Sequence, residues 1–480
     1  MKRDPTWLTR RRFLQGLGLG AAGLGLPIGL RSLPAIAGIG EPSDDGSPFL
    51  VICAFNGGWD QLQLFDPRSD LDYTEANGSA LIPDYAALAG SSTDSLGGFA
   101  AFMGDNPSGI TTVGDITLGP AARYLAPWAD RFSLVRGINM GTLTHQVGTR
   151  YFLTGKFPSG LAAKGSALPT WLTSEVCTPM AALDRPPIPN LAVGVETYND
   201  GLVGFASGLQ VSNNQDLRGV LYSFDPTLSA AENDAIDAYF DGASMTECVH
   251  GLYNGGGSID AFMESREAAK ILASGQLETF FNFGLDNPTN ADLYTHFGLD
   301  GLSNAQASQA TRGGIGQAMI AAQAITKGVS QCVSVSLASG IDHHDEDYGT
   351  DHYNGLALGM SSLERLISYL DVHGVLDRTT ILVTSEFSRT PKRNARGGRD
   401  HHLSSSCMLM GPGIVQGQVL GATDDETWVF QPVDPQTGVL DTAGHAIRPT
   451  DIHATLLDSM GHSYEHLSNQ DPVVLEALKS

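Results

Sequence analysis

The sequence predicts an α/β fold: a mostly parallel central sheet sandwiched by helices. Three observations lead there. Apolar runs of strand length recur along the chain, segments of helical periodicity lie between several of them, and chemically active side chains cluster just after the runs. Runs that are apolar throughout, rather than alternating, belong to strands covered on both faces, as in parallel sheets. Strands alternating with helices supply the matching connectivity.

The elements follow in chain order. Thr9-Arg10-Arg11-Arg12-Phe13-Leu14 matches the twin-arginine export pattern. The Gly/Leu/Ala stretch after it, Gly16 to Leu30, is too short and glycine-rich for a membrane span. Ala35-Ile36-Ala37 then offers a small-x-small cleavage site, so residues 1–37 read as a signal peptide and 38–480 as the mature chain, without a stable span. Export to the periplasm or beyond is expected, with the twin-arginine translocase as a partner in transit. That route carries folded proteins, often with a cofactor already inserted.

The first strand is the run Pro48 to Phe55, closed by Asn56-Gly57-Gly58. Further strands are predicted at Phe132–Val135, Asn190–Val193, Cys332–Leu337, Thr380–Thr384 and Cys407–Met410. Amphipathic helices are predicted at Ser258–Phe281, Gln306–Lys327 and His352–His373. Residues from about 196 to 300, rich in Asn, Asp, Gly and Ser, read as an inserted cap.

Composition narrows the function classes. With 42% hydrophobic and 17% charged residues over 480 positions, the chain is a globular, enzyme-sized protein. Its net charge of −24 excludes the basic footprint that nucleic acid requires. An anion site must therefore be local, built from metal ions or a few arginines. The five cysteines are widely spaced, odd in number and without a CxxC pair, so no disulfide framework is implied; Cys53 and Cys332 sit in apolar runs as structural thiols.

Ligands of open α/β sheets bind beyond the carboxyl ends of the strands. Four polar clusters are predicted there: Asp60, Asp342-His343-His344-Asp345, Glu386, and Asp400-His401-His402. Singly, each is weak, since a lone Asp after a strand is more often an N-cap or turn residue. Together they supply carboxylate and imidazole, the donors that hold divalent Zn, Mn, Mg or Ca. Two such ions about 4 Å apart would clamp the entering and leaving oxygens of phosphoryl or sulfuryl transfer. Thr144 offers a hydroxyl nucleophile that metal coordination would activate, or simply a helix N-cap. Arg389 and Arg399 would grip an oxyanion or sit in salt bridges. The acidic stretches Asp66–Asp72 and Asp345–Gly349 lack EF-hand spacing and read as surface.

These residues resemble a known family. The set comprises the twin-arginine start, Gly57-Gly58-Trp59-Asp60, Thr144-His145 with Thr154-Gly155, Asp342-His343-His344, Ser385-Glu386-Phe387-Ser388-Arg389-Thr390-Pro391, Gly398-Arg399-Asp400-His401 and Arg448-Pro449-Thr450-Asp451-Ile452. The pattern is similar to the exported bacterial family called domain of unknown function 1501, grouped with the alkaline phosphatase and sulfatase superfamily. The resemblance implies an alkaline phosphatase-like fold and one or two divalent ions. It implies Asp60, Asp342, His344, Glu386, Asp400 and His401 as metal ligands and Thr144 as nucleophile, with His145, Arg389, Arg399 and His402 toward the substrate. Phe387 stands where many superfamily enzymes place a histidine, which separates a one-metal from a two-metal centre. The expected function is exported, metal-dependent hydrolysis of small anionic phosphate or sulfate esters. The alternative is a catalytically silent metal- or ligand-binding protein of the same fold.

Overall fold

The computed structural model describes residues 40–42, 46–68, 109–181, 184–221, 231–232, 235, 238–239, 277–345 and 348–480. The export segment 1–37, Cys248, most of the predicted Ser258–Phe281 helix, and Asp70, Asp72, Glu346 and Asp347 lie outside them. Of the expected insertion at about 196–300, mainly residues 196–221 and 277–300 are described. Residues 37–221 and 275–480 form one compact unit, and it carries the sheet and the candidate site.

Twelve strands are described: β1 (Phe49–Phe55), β2 (Thr111–Val113), β3 (Ile116–Leu118), β4 (Phe132–Asn139), β5 (Asn190–Val193), β6 (Leu209–Val211), β7 (Cys332–Ala338), β8 (Thr379–Thr384), β9 (Ser388–Arg393), β10 (Arg399–His402), β11 (Ser404–Met410) and β12 (Val419–Leu420). Eight of them build the main sheet in the order β12-β4-β11-β8-β1-β7-β5-β6. Every neighbouring pair is parallel except those of β11, which runs against both β4 and β8. All six predicted apolar runs are strands of this sheet. The reason is visible in β1, β7 and β8, where every residue is buried. Each large apolar side chain buried this way stabilises the fold by about 1.5–3 kcal/mol.

Helices cover both faces. On one, Leu50, Ile52, Leu382 and Leu409 share a core with α1 (His145–Thr154), α2 (Leu168–Cys177) and α5 (Pro449–Ser459). On the other lie α3 (Gly314–Thr326) and α4 (Tyr353–Val372). The predicted Gln306–Lys327 helix is in fact two, Asn304–Ala310 and α3. The break has a packing cause: a Cβ at Gly314 would stand 1.9 Å from the Leu337 carbonyl oxygen, so the backbone of α3 starts directly on the end of β7. The described cysteines Cys53, Cys177, Cys332 and Cys407 are buried free thiols. No described helix is long and apolar enough to cross a membrane.

Parallel strands leave their carboxyl ends at one edge, and the loops there carry the chemistry. Helix α1 is held at that edge from its far end. His453 Nε2 donates to the Phe152 carbonyl at 2.7 Å, and the Thr450 hydroxyl donates to the Gly155 carbonyl at 2.6 Å. The Arg448-Pro449-Thr450-Asp451 segment is thus the clamp on α1, fixed in turn by Arg448–Asp451 and His445–Asp451 pairs at 3.0 and 2.7 Å.

Burial pushes the His453 imidazole down to about 4, since a charged ring there would lose its water. The unfolded ring titrates near 6.5, so the unfolded chain takes up the proton first on acidification. Stability from this group is full above pH 6.5 and is lost as pH falls toward 4. Between pH 7 and pH 5 the loss should be about 2 kcal/mol. Denaturant unfolding of wild type and His453→Gln at both pH values checks this; equal pH slopes would refute it.

Candidate metal centre

The site is built by four segments that the sheet edge brings together. The loop after β1 supplies Gly57 and Gly58, the start of α1 supplies His145, the loop after β7 supplies Asp342 and His344, and the ribbon of β9 and β10 supplies Arg389 and His401. The loops touch closely. Gly57 and Gly58 have φ of +126° and +76°. A Cβ on Gly57 would lie 2.7 Å from the Asp342 backbone nitrogen, and one on Gly58 would lie 2.6 Å from the Phe387 ring. At Gly148, one turn on from His145, a Cβ would stand 2.4 Å from the Glu386 carbonyl oxygen, so α1 rests its backbone against the end of β8.

The ribbon settles which of its adjacent histidines faces the site. His401 pairs with Arg389 and His402 with Ser388 in the antiparallel register. Side chains alternate faces along a strand, so only one of two neighbours can point inward. His401 does. His402 turns away, its Nδ1 accepting from the Ser404 amide at 3.2 Å; burial lowers its pKa, and Thr427 and Asp424 lie on that side.

His145, Asp342 and His401 place one donor atom each within 4.8 Å of one another. His145 Nε2 is 3.3 Å from Asp342 Oδ2, and His401 Nε2 is 3.3 Å from Asp342 Oδ1. Ligand atoms around a tetrahedral ion with bonds of about 2.0–2.1 Å stand about 3.3 Å apart. His344 Nε2 joins the edge of this group, 3.0 Å from both Asp342 Oδ1 and His401 Nε2.

Behind each ring sits an oxygen that fixes its tautomer. Glu386 Oε1 is 2.7 Å from His145 Nδ1, the Leu143 carbonyl 2.6 Å from His401 Nδ1, and Asp400 Oδ1 2.8 Å from His344 Nδ1. A neutral ring that gives its Nδ1 proton away can only accept at Nε2. The Nε2 atoms of His145 and His401 therefore turn lone pairs toward a carboxylate, and His145 Nε2 is buried without a hydrogen-bond donor. Acceptors facing acceptors are a poor arrangement alone and a good one around a cation. Oxygens behind ligating histidines are also the usual means of orienting them. The residues fit a divalent ion.

The electrostatics agree. Burial would raise the Asp342 pKa, but the Arg389 hydrogen bond and charge, with His145 and His401, hold it well below the usual carboxylate range. Burial lowers the His401 pKa, which favours the neutral, ligating form. Hydrogen bonds from Asn394 and His344 lower that of Asp400. Phe387 is fully buried beneath the site, its ring centroid 4.7 Å from His145 and 4.4 Å from His401.

Several expected roles are redistributed. Glu386 was expected as a ligand; its side chain is buried, with Oε1 taken by the Gly57 amide (2.8 Å) and His145, and Oε2 by the Ser385 hydroxyl (2.9 Å), so it stands behind the ring. Asp400 likewise stands behind His344. Asp60, also expected as a ligand, is buried away from the cluster, capping Gln61–Gln63 through the Leu62 amide (2.9 Å) and accepting from the Tyr348 hydroxyl. Arg399, expected to face an anion, is fully buried beside Asp60 (3.8 Å) and over the Tyr348 ring. Arg389 is buried too, and backbone carbonyls, Asp342 and His344 occupy its donors. His145, expected toward substrate, is in the cluster. Thr144 is the exposed N-cap of α1, and its hydroxyl makes no capping bond. Sequence reading missed Phe387 as a wall and Asn394 as a brace on Asp400 (3.0 Å) and the His344 carbonyl (3.0 Å). An asparagine opening a turn that closes on two glycines was the available signal for the second.

Residues 264–471 match the family profile "Protein of unknown function (DUF1501)". The match includes Asp342, His344, Glu386, Arg389, Asp400 and His401, while His145 precedes it. A search of curated proteins found no match. Among solved structures, similar chains include a protein in complex with its substrate D-glucosamine-2-N,6-O-disulfate (10% identity, TM-score 0.35, 90% of this chain and 80% of that one). They also include a sulfatase from Pseudoalteromonas sp. (12%, 0.31, 87% and 68%) and a phosphonate monoester hydrolase from Silicibacter pomeroyi (12%, 0.31, 87% and 74%). At these TM-scores the overlap is loose.

Glu386→Gln keeps the shape but removes the charge that steadies His145. It should weaken binding of Zn or Mn about 10- to 100-fold, read by competition against a chelator of known affinity. Unchanged affinity would remove Glu386 from the orienting role.

Proposed function

We propose that this chain is an exported, metal-dependent hydrolase of small anionic esters, of phosphate or sulfate, with an alkaline phosphatase-like fold. The observation that carries the reading is the convergence of acceptor-only atoms from His145, Asp342 and His401, each ring pinned from behind. His145, Asp342 and His401 would hold the ion, with His344 beside them. Imidazole with carboxylate suits Zn or Mn better than Mg or Ca, which prefer oxygen alone.

When bound, a divalent ion supplies Lewis-acid polarisation of the ester and acidifies a hydroxyl near it. The remaining work falls to side chains already in place. Thr144 precedes His145, is exposed and is free of a capping bond, so its hydroxyl serves as the nucleophile. The first amides of α1, at the positive end of the helix, would meet the ester oxyanion. Phe387 walls the rings from beneath and excludes water on that side. The twin-arginine start and small-residue segment support export, with loading of the ion before transit.

A second reading, metal binding without catalysis, draws on one specific observation. Both arginines expected to grip the substrate are buried and engaged. The two readings part experimentally. Wild type should carry a stoichiometric ion and hydrolyse 4-nitrophenyl phosphate or sulfate, with loss on chelation and recovery on Zn or Mn. Asp342→Asn should lose the ion, and Thr144→Val should keep it while turnover falls by a factor on the order of 100 or more. An ion bound with no ester hydrolysed would leave the binding protein; no ion in folded wild type would end both.

A further inference from the structure

The Arg389 guanidinium is the least ordinary feature of this centre. Its side chain is wholly inaccessible, yet it lies against the exposed Asp342 carboxylate. Nε donates to the Gly58 carbonyl at 2.9 Å. Nη1 donates to the Arg399 carbonyl at 3.1 Å and faces His344 Nε2 at 3.3 Å. Nη2 donates to the Gly57 carbonyl, meets Asp342 Oδ1 at 2.5 Å and has the Ile341 carbonyl at 3.4 Å. A guanidinium has five N–H donors and cannot deprotonate in a protein. Here it is a permanent, immobile unit charge, and it forms part of the centre's wall.

We propose that Arg389 is a built-in cation that holds the place beside Asp342 and His344 that a second metal ion would need, so the centre takes one divalent ion and not two. This rests on the metal-binding reading of His145, Asp342 and His401, and it adds the stoichiometry and the residue that sets it.

Three observations support it. His344 donates its Nδ1–H to Asp400, so its Nε2 is an acceptor, and Arg389 Nη1 is the donor aimed at it. The lone pair that would ligate a second ion is thus already answered. Asp342 divides its oxygens in a related way: Oδ1 faces Arg389, His344 and His401, while Oδ2 faces His145. Charge counts the same result. Asp342, Glu386 and Asp400 bring three negative charges to the rings, and Arg389 returns one. The remainder is matched by one divalent ion; a second would leave two uncompensated positive charges beside a guanidinium that cannot move. Asp60 and Arg399 form their own pair and do not alter this balance.

The test is metal stoichiometry, which needs no substrate. The mature protein is stripped with chelator, titrated with Mn²⁺, and followed by the electron paramagnetic resonance signal of free ion and by elemental analysis after desalting. Wild type should saturate at one equivalent per chain, without the spin coupling of a two-ion centre. Arg389→Gln, which removes the charge and opens the place beside His344, should saturate at two. Arg389→Lys should stay at one, and Arg389→Gln with His344→Ala should return to one. Near-ultraviolet circular dichroism confirms that each variant is folded.

Wild type at two equivalents, or folded Arg389→Gln still at one, would overturn the proposal while leaving the metal site intact. Wild type at zero with folded Arg389→Gln at one would support Arg389 as resident cation and sink the metallohydrolase reading instead. Zero in both would sink the two together. Because wild type at two equivalents overturns it without any variant, the proposal stays falsifiable if Arg389→Gln does not fold.

Discussion

Burying one guanidinium is the constraint around which this sheet edge is arranged. An isolated charge taken out of water costs several kcal/mol after relaxation, so Arg389 can be inside only if its donors are answered. The answers come from three separate loops: Gly57 and Gly58 after β1, Ile341 and Asp342 after β7, and Arg399 on the ribbon. A Cβ at Gly57 would collide with the Asp342 backbone and one at Gly58 with the Phe387 ring, and this explains the glycine pair. Once the loops are pulled in, Asp342 is anchored by one oxygen, and the rings that face it take their places around it.

The same logic of answered and unanswered groups separates ligands from supports. Glu386 sits deeper than any residue of the cluster, and deep carboxylates are tolerated when hydrogen bonds surround them. The Gly57 amide, the Ser385 hydroxyl and the His145 ring provide those bonds. With three donors around its oxygens, Glu386 orients a ligand from behind. Asp342 is nearly half exposed, and its Oδ2 has no such group of donors around it. Position along the chain would rank the two carboxylates equally; solvation and partner count do not.

That difference marks how far the sequence could be read. The fold was legible because it is written locally: the run Leu50–Phe55 is apolar in every position, as a strand covered on both faces requires. The sheet edge followed, since glycines and polar clusters come where the runs stop. Roles are not legible in the sequence where they depend on pairs distant along the chain. Whether His145 is a ligand depends on Glu386, 241 residues away. Whether His401 or His402 faces inward depends on a register set by β9, which adjacent histidines do not reveal. Arginines near acidic clusters suggest anion binding by composition, but Arg399 over Tyr348 and beside Asp60 is a packing element. Its burial, not its identity, decides its function.

The geometry of Asp342 ties these strands of argument together. Its Oδ1 belongs to the protein, shared among Arg389, His344 and His401; its Oδ2 looks toward His145. Thr144 and the first amides of α1 adjoin His145 along the chain. One oxygen of a single carboxylate is therefore committed to holding the loops in place, and the other is turned toward His145. A site assembled this way does not need a free arginine to fix an anion. The helix terminus and one ion would do that together, while the positive charge that cannot move keeps the carboxylate ionised and in position.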